Sequence, residues 1–216
     1  FMKIDLYFSY RSPYSYLILP RMLKLKEKYD IDINFKIVYP IAIRMPEWFE
    51  GKNIFTYFFF KMIDMRLQAK KLGIPFTTKL RPDPIRQNIM TGKISNHQPY
   101  IFDICHLGQM AQIKGVGIEF AFEVSSMIFG GVEKWNTDEN LSKAAKKVGL
   151  DLKQLRESVN VHEEEIISQI KQNQVDQLNA GHHGVPLTVI GDKHFFGQDQ
   201  FKKIMKTLEE NGLKER

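Results

Sequence analysis

A serine placed directly before a proline, where an aromatic-rich segment gives way to helical spacing, offers two uses for its hydroxyl. Ser12 precedes Pro13 in this chain. Serine is a favoured N-cap, and proline at the first helical position loses nothing, because its missing N–H would be unpaired there anyway. The first use is therefore a cap worth about 1 kcal/mol. The second is chemical. Unpaired N–H groups and the positive end of the helix dipole converge at such a terminus, so an anion is stabilised and a thiol has its pKa lowered. Arg11, the residue before Ser12, either strengthens that field or meets a substrate carboxylate, or is a surface residue at a helix start. Far along the chain, Gly184-Val185-Pro186-Leu187 is a second local signal. A proline just ahead of a buried strand is restricted, and cis X–Pro bonds tend to occur in such tight connections.

The elements that must position these residues follow from periodicity. Residues 3–10 alternate polar and apolar and are rich in aromatics, a strand pattern. A helix is expected from Pro13 to about Tyr29, kinked by Pro20. A second strand is expected over 33–39, closed by Pro40. Strand, helix and strand within forty residues form a βαβ unit with a right-handed crossover and a parallel pair. Helical spacing then dominates 53–72, 98–114, 117–130, 137–148 and 151–179, with Gly73, Gly115, Gly130-Gly131 and Gly149 at plausible stops. Asp151 with Gln154 resembles a capping box. Residues 77–91, holding Pro82 and Pro84, are expected to form a loop with a short turn. Leu187 to Ile190 reads as a compact strand, turned by Gly191-Asp192 into a hairpin partner at 193–196. A last helix is expected from near Gln198-Asp199 to near Gly212. The order predicts an α/β protein: a thioredoxin-like mixed four-stranded sheet, built from 2–50 and 181–216, with an all-helical insertion domain at 51–180. In that arrangement the loop before the third strand lies beside the first helix's N-terminus, so Ser12 and Pro186 should meet.

Composition narrows the function. The chain has 216 residues, 43% hydrophobic and 26% charged, which excludes disordered, collagen-like and disulfide-stapled classes. Its net charge of +6 is spread along the sequence, favouring solubility and attraction to small anions. The basic residues lack the aromatic interleaving expected for nucleic-acid binding, and no apolar run approaches the ~18 residues of a membrane span. One cysteine, Cys105, permits no internal disulfide, so a reducing, cytoplasmic setting is expected. Cys105 falls in an apolar helical pattern that favours an inert buried thiol. His182-His183 lacks further ligands at metal spacing, so no metal is expected. His162 followed by Glu163-Glu164-Glu165 reads as a solvated helix start. The aromatic run from Phe55 to Phe60 is expected mainly to pack a helix against the sheet, with a cleft wall as the other use. Asp64 and Arg66 read as an exposed or locally paired helix face. Phe1, ahead of Met2, is set aside as extraneous.

Three segments together carry a family resemblance: Tyr7-Phe8-Ser9-Tyr10-Arg11-Ser12-Pro13-Tyr14-Ser15-Tyr16-Leu17, Gly184-Val185-Pro186, and Phe195-Phe196-Gly197-Gln198-Asp199. The chain resembles the DsbA-like thioredoxin family, and within it the branch of 2-hydroxychromene-2-carboxylate isomerases and kappa-class glutathione transferases. The resemblance implies a glutathione site. In that branch a Ser-Pro-x-Ser segment, here Ser12 to Ser15, replaces the redox Cys-x-x-Cys, and Ser12 would hydrogen-bond the glutathione sulfur as the catalytic residue. Val185, with Pro186, would pair its backbone with the cysteinyl part, and Gln198 and Asp199 would hold the γ-glutamyl end. Asn53 stands in for a loop residue of close relatives, and Arg11 and Tyr14 would face a small aromatic or unsaturated substrate. A serine cannot run disulfide exchange, yet it can donate to a thiolate favoured by the helix terminus. The resemblance further implies a homodimer. A DsbA-type disulfide oxidoreductase and a non-catalytic binding module on the same fold are the alternatives.

Overall fold

The computed structural model describes residues 2–216. Four strands, β1 (Met2–Phe8), β2 (Ile31–Ile37), β3 (Leu187–Ile190) and β4 (Lys193–Phe196), make one sheet in the order β2-β1-β3-β4. β1 runs parallel to β2, with Ile4 opposite Ile33 and Phe8 opposite Ile37. It runs antiparallel to β3, with Leu6 opposite Thr188. β2 shows why this register holds: Ile31, Ile33, Phe35 and Ile37 are buried while Asp32 and Asn34 are exposed, and a slip of one residue would invert that face. β3 and β4 close through Gly191-Asp192, where Gly191 adopts a φ of +60°, the conformation a two-residue hairpin demands.

Helix α1 (Pro13–Lys28) crosses from β1 to β2, and Pro20 lies inside it without ending it. Between the two halves of the sheet stand α2 (Ile41–Arg44), a 3₁₀ turn (Pro46–Phe49), α3 (Ile54–Leu72), α4 (Ile101–Ile113), α5 (Gly117–Gly130), α6 (Asp138–Lys147), α7 (Leu152–Val161) and α8 (Glu163–Asn179). A 3₁₀ turn (Gln198–Gln200) leads into α9 (Phe201–Glu210). The fold is therefore the thioredoxin-like arrangement with a helical insertion.

Three local expectations change. The single helix expected over 151–179 is two helices meeting at His162, which ends α7 and begins α8. Glu163, Glu164 and Glu165 occupy the first turn of α8, where carboxylates favour the positive pole of a fresh helix start. α2 is a single turn, too short to register as a period. The aromatic run of α3 packs less than expected. The helical period turns Phe58, Met65 and Ala69 inward and leaves Phe55, Phe59 and Phe60 exposed, with Ile63 and Leu67 continuing the outward stripe.

One hydrophobic core joins sheet and insertion, running from Leu6, Phe8 and Phe35 through Leu17 to Phe120, Ile128 and Trp135. α1 is the shared wall: Tyr16 stacks on Phe129 of α5 at 5.5 Å. A small separate cluster, Tyr7, Val38 and Leu187, packs Val185 and Val189. The cis-proline loop is thus seated on its own apolar patch beside the start of α1.

Candidate active site

Ser12 is the N-cap of α1, with extended backbone (φ −94°, ψ 113°) and Pro13 following it. Its Oγ accepts the Ser15 N–H at 3.1 Å, the expected cap. The hydroxyl proton remains to be donated, and it points to the Val185 carbonyl at 3.4 Å. That contact is long for O–H···O, so an anionic acceptor at the same corner would take the proton in its place. The Val185–Pro186 bond is cis. Pro186 is buried, and its carbonyl accepts the Gly197 N–H at 3.0 Å. Among the described residues the Val185 N–H has no hydrogen-bond acceptor. The corner therefore presents an unpaired main-chain donor, a weakly engaged carbonyl and a serine hydroxyl, all at a helix N-terminus.

Elements far from this corner in sequence hold its loop. Gln177 of α8, fully buried, donates to the Gly184 carbonyl at 2.8 Å. Arg44 of α2 donates to the Tyr39 carbonyl at 2.8 Å, to Gln177 Oε1 at 3.4 Å and to the His183 carbonyl at 3.0 Å. Burial lowers the Arg44 pKa, and three oxygen acceptors compensate that desolvation. Trp48 lies 6.2 Å from the His183 ring. Sequence reasoning missed Arg44, Trp48 and Gln177, because a charged residue on a one-turn helix and a glutamine mid-helix both read as surface.

The structure gives Arg11, Tyr14 and Asn53 partners of their own. Arg11 forms a two-pronged ion pair with Asp83 of the 77–91 loop, Nε to Oδ1 at 2.7 Å and Nη2 to Oδ2 at 2.8 Å. Its charge is thereby largely spent within the chain. The Tyr14 hydroxyl donates to Asp64 of α3 at 2.7 Å. Burial and that bond raise the Tyr14 pKa far above its usual value, so the phenol stays neutral. Asn53 caps α3, its Oδ1 accepting the Thr56 N–H at 3.1 Å. It stands three turns, about 16 Å of helix rise, from Asp64, whose carboxylate holds Tyr14 of α1. Its side chain bonds Thr56 and Met90, and no hydrogen bond joins it to the Ser12–Val185 corner among the described residues. Arg66 donates to Thr78 at 2.7 Å, a local pairing as expected.

Gln198 and Asp199 occupy opposite sides of one short turn. Gln198 is buried, and its side-chain and main-chain oxygens both accept from Arg21 of α1. The Arg21 guanidinium also lies over the Phe201 ring at 4.9 Å. Burial lowers the Arg21 pKa, and the nearby Asp199 carboxylate opposes that shift. Asp199 is exposed, and it bears on Tyr14 as well. Gly197 must be glycine here: its φ is +107°, and a Cβ would fall 2.5 Å from Asp199 Oδ1. Arg21 is thus the inward strut that fixes this turn against α1, leaving Asp199 facing solvent near the helix start.

The chain's own sulfur is remote in chemistry. Cys105 is fully buried, and burial pushes its pKa far up, so it does not form a thiolate at neutral pH. Ser15 is fully buried, its hydroxyl without a partner among the described residues. Among those residues no group of three or more His, Cys, Asp or Glu is placed to hold a metal ion. No helix of the described residues is long and apolar enough to cross a membrane.

A cis-proline loop packed against a serine-capped helix, on a βαβ–ββα sheet with helices inserted, defines the class of this site as thioredoxin-like. The chain belongs to the family of the DSBA-like thioredoxin domain, whose model matches residues 3–209. Among the solved structures that share the fold are these three. One is a 2-hydroxychromene-2-carboxylate isomerase, at TM-score 0.69 and 17% identity, covering 97% of this chain and 95% of that one. Another is the cytosolic disulfide reductase DsbM from Pseudomonas aeruginosa with GSH, at TM-score 0.61 and 11% identity, covering 97% and 100%. The third is the thiol-disulfide exchange protein alpha-DsbA2 from Wolbachia pipientis, at TM-score 0.59 and 12% identity, covering 98% and 82%. No curated protein sequence matches the chain significantly.

Proposed function

We propose that this protein is a glutathione-dependent isomerase or transferase acting on a small aromatic or unsaturated electrophile, with Ser12 stabilising the glutathione thiolate. The observation that carries the reading is the corner where the Ser12 hydroxyl faces the Val185 carbonyl across 3.4 Å beside the cis-proline. The donor set fits the tripeptide. Val185 offers a free N–H and a carbonyl, the pair an extended peptide needs for strand-like pairing, and the α1 terminus favours negative charge at the sulfur. When bound, glutathione supplies the sulfur nucleophile that the chain lacks, able to add to an activated double bond and to leave again.

The chain's part is positional and electrostatic. Ser12 keeps its cap bond from Ser15 and turns its proton to the sulfur. Asp199, exposed near the start of α1, would hold the cationic γ-glutamyl amine. Tyr14, neutral and tied to Asp64, walls the approach without contributing an acid or base. Disulfide exchange finds no nucleophile here, with serines at 12 and 15 and a buried, protonated Cys105. The fold neighbours named for an isomerase and for a reductase with GSH support the reading at the level of class. A cytoplasmic homodimer belongs to the same proposal, and the outward apolar stripe of α3 supports the dimer. Sedimentation equilibrium tests that part: a monomer at micromolar concentration contradicts it.

The direct test of the site is calorimetric titration with reduced glutathione, followed by a structure of the complex. Binding with the sulfur within hydrogen-bond reach of Ser12 Oγ is the expected result. No heat at millimolar ligand removes the reading.

A further inference from the structure

Imidazoles crowd the turn that enters the cis-proline. The His182 ring lies on Phe196 of β4, centroids 4.0 Å apart, and is stacked on His183 at 5.3 Å with the rings 7° from parallel. The Gly184 N–H donates to His182 Nδ1 at 2.8 Å. A backbone N–H can only donate, so Nδ1 carries a lone pair and the neutral ring bears its proton on Nε2. No larger residue fits between: a Cβ on Gly184 would come within 2.4 Å of Phe196 and 2.8 Å of His182 Cε1. On its other side Gly184 is held through its carbonyl by Gln177. The residue immediately before Val185 is therefore clamped at both main-chain groups, and one of the clamps is titratable.

We propose that His182 is a proton-sensitive positioning residue for the Ser12–Val185 corner. Neutral, it fixes Gly184 and through it the Val185 main chain. Protonated, both ring nitrogens are donors, the Gly184 N–H loses its acceptor, and the loop loosens. The inference rests on the thiol site proposed above and deepens it.

The groups facing His182 oppose its protonation from several elements. His183 stacks on it from the same loop. The His194 ring of β4 lies against Gly181, 3.2 Å from where a Cβ would stand. Arg44 of α2 brings a guanidinium to the His183 carbonyl, while Gln177 of α8 is neutral. Burial first, then His183 and His194, lowers the His182 pKa below the ordinary imidazole value, with a smaller opposing pull from its main-chain hydrogen bond to Gly184. The ring is thus neutral at physiological pH, and the loop releases only as acid overcomes those neighbours.

The test uses S-methylglutathione, whose capped sulfur does not titrate, with calorimetry at about pH 7.5 and about pH 5 on either side of the imidazole range. The wild type is expected to lose about five- to tenfold in affinity on acidification, the value of one hydrogen bond. His182→Asn places an acceptor oxygen where Nδ1 stands and does not titrate, so it should keep the neutral-pH affinity and flatten the profile. His182→Ala should bind about five- to tenfold more weakly at both pH values. A wild-type profile unchanged in His182→Asn, or full affinity in His182→Ala, overturns the proposal. The Gly184 amide resonance of the ligand-free protein separates this failure from that of the thiol site. It should titrate with the His182 ring in the wild type and stay fixed in His182→Asn. An amide that does not move contradicts the clamp whether or not any glutathione binds.

Discussion

The Arg11 guanidinium grips the Asp83 carboxylate with two contacts, at 2.7 and 2.8 Å, across seventy-two residues of chain. The cation that precedes Ser12 in sequence is thereby paired with a loop carboxylate. Asp83 is itself fixed, since its Oδ1 also accepts the Ile85 N–H at 2.9 Å, and the neighbouring Pro82 carbonyl accepts from the buried Trp135 at 2.7 Å.

Removing the carboxylate should release the charge. Asp83→Asn is expected to lower the pKa of bound glutathione by about one unit, through a freed cation near the sulfur. Arg11→Ala should leave that pKa close to the wild-type value. Its stability cost should stay under about 1 kcal/mol, because the pair is partly exposed. Thiolate absorbance against pH and urea unfolding measure the two effects.

Gln198 answers a half-buried guanidinium, so its loss should be felt in stability. Gln198→Ala leaves Arg21 with fewer acceptors and is expected to cost about 1–3 kcal/mol in urea unfolding. Arg21→Met, which removes the charge along with the need for acceptors, should recover part of that loss in the double variant. Equal, additive costs would show that Arg21 does not depend on Gln198.

Cys105 should be inert in the folded protein. Its fully buried, protonated thiol is expected to react with an aromatic disulfide reagent only at the rate of global opening, and fully once urea is added. Insulin reduction should show no turnover. Fast labelling in native buffer contradicts this account of the core.

Acid should weaken the fold through His106. Its Nε2 lies 2.9 Å from the Tyr39 hydroxyl. Burial, the largest influence, lowers its pKa, with Glu163 and Asp103 pulling the other way. The folded state therefore favours the neutral ring. Its contribution is whole above the ordinary imidazole pKa of about 6.5 and is lost as pH falls toward the lower folded value. The urea midpoint should drop between about pH 7 and pH 5. His106→Gln should shrink that drop without abolishing it, because the His182 pKa is lowered too.

Much of this architecture is written locally. The period of two in Ile31 to Ile37, the Ser12-Pro13 cap and the Gly191-Asp192 turn each declare an element without reference to the rest. Their order then places Pro186 beside Ser12, which is how the core of the site could be read from the chain. What stayed hidden depended on irregular paths. Asp83 sits in a loop with no period to say where it goes, so its pairing with Arg11 was invisible. Arg21 and Arg44 carry no mark in the sequence, because nothing local tells that a guanidinium turns inward to carbonyl oxygens. The exposed half of α3 was masked by the same phenylalanines that suggested burial. A run of aromatics raises expected burial on every face, while a helix can bury only one.

The ionisation of bound glutathione tests the role of Ser12 most directly. Titrated by ultraviolet thiolate absorbance, the thiol bound to the wild type should ionise at least one unit below its value in free solution. In Ser12→Ala most of that shift should vanish, together with about 1 kcal/mol of stability from the lost cap. A bound thiol that ionises alike in both proteins, or at its solution value in the wild type, contradicts the role assigned to Ser12.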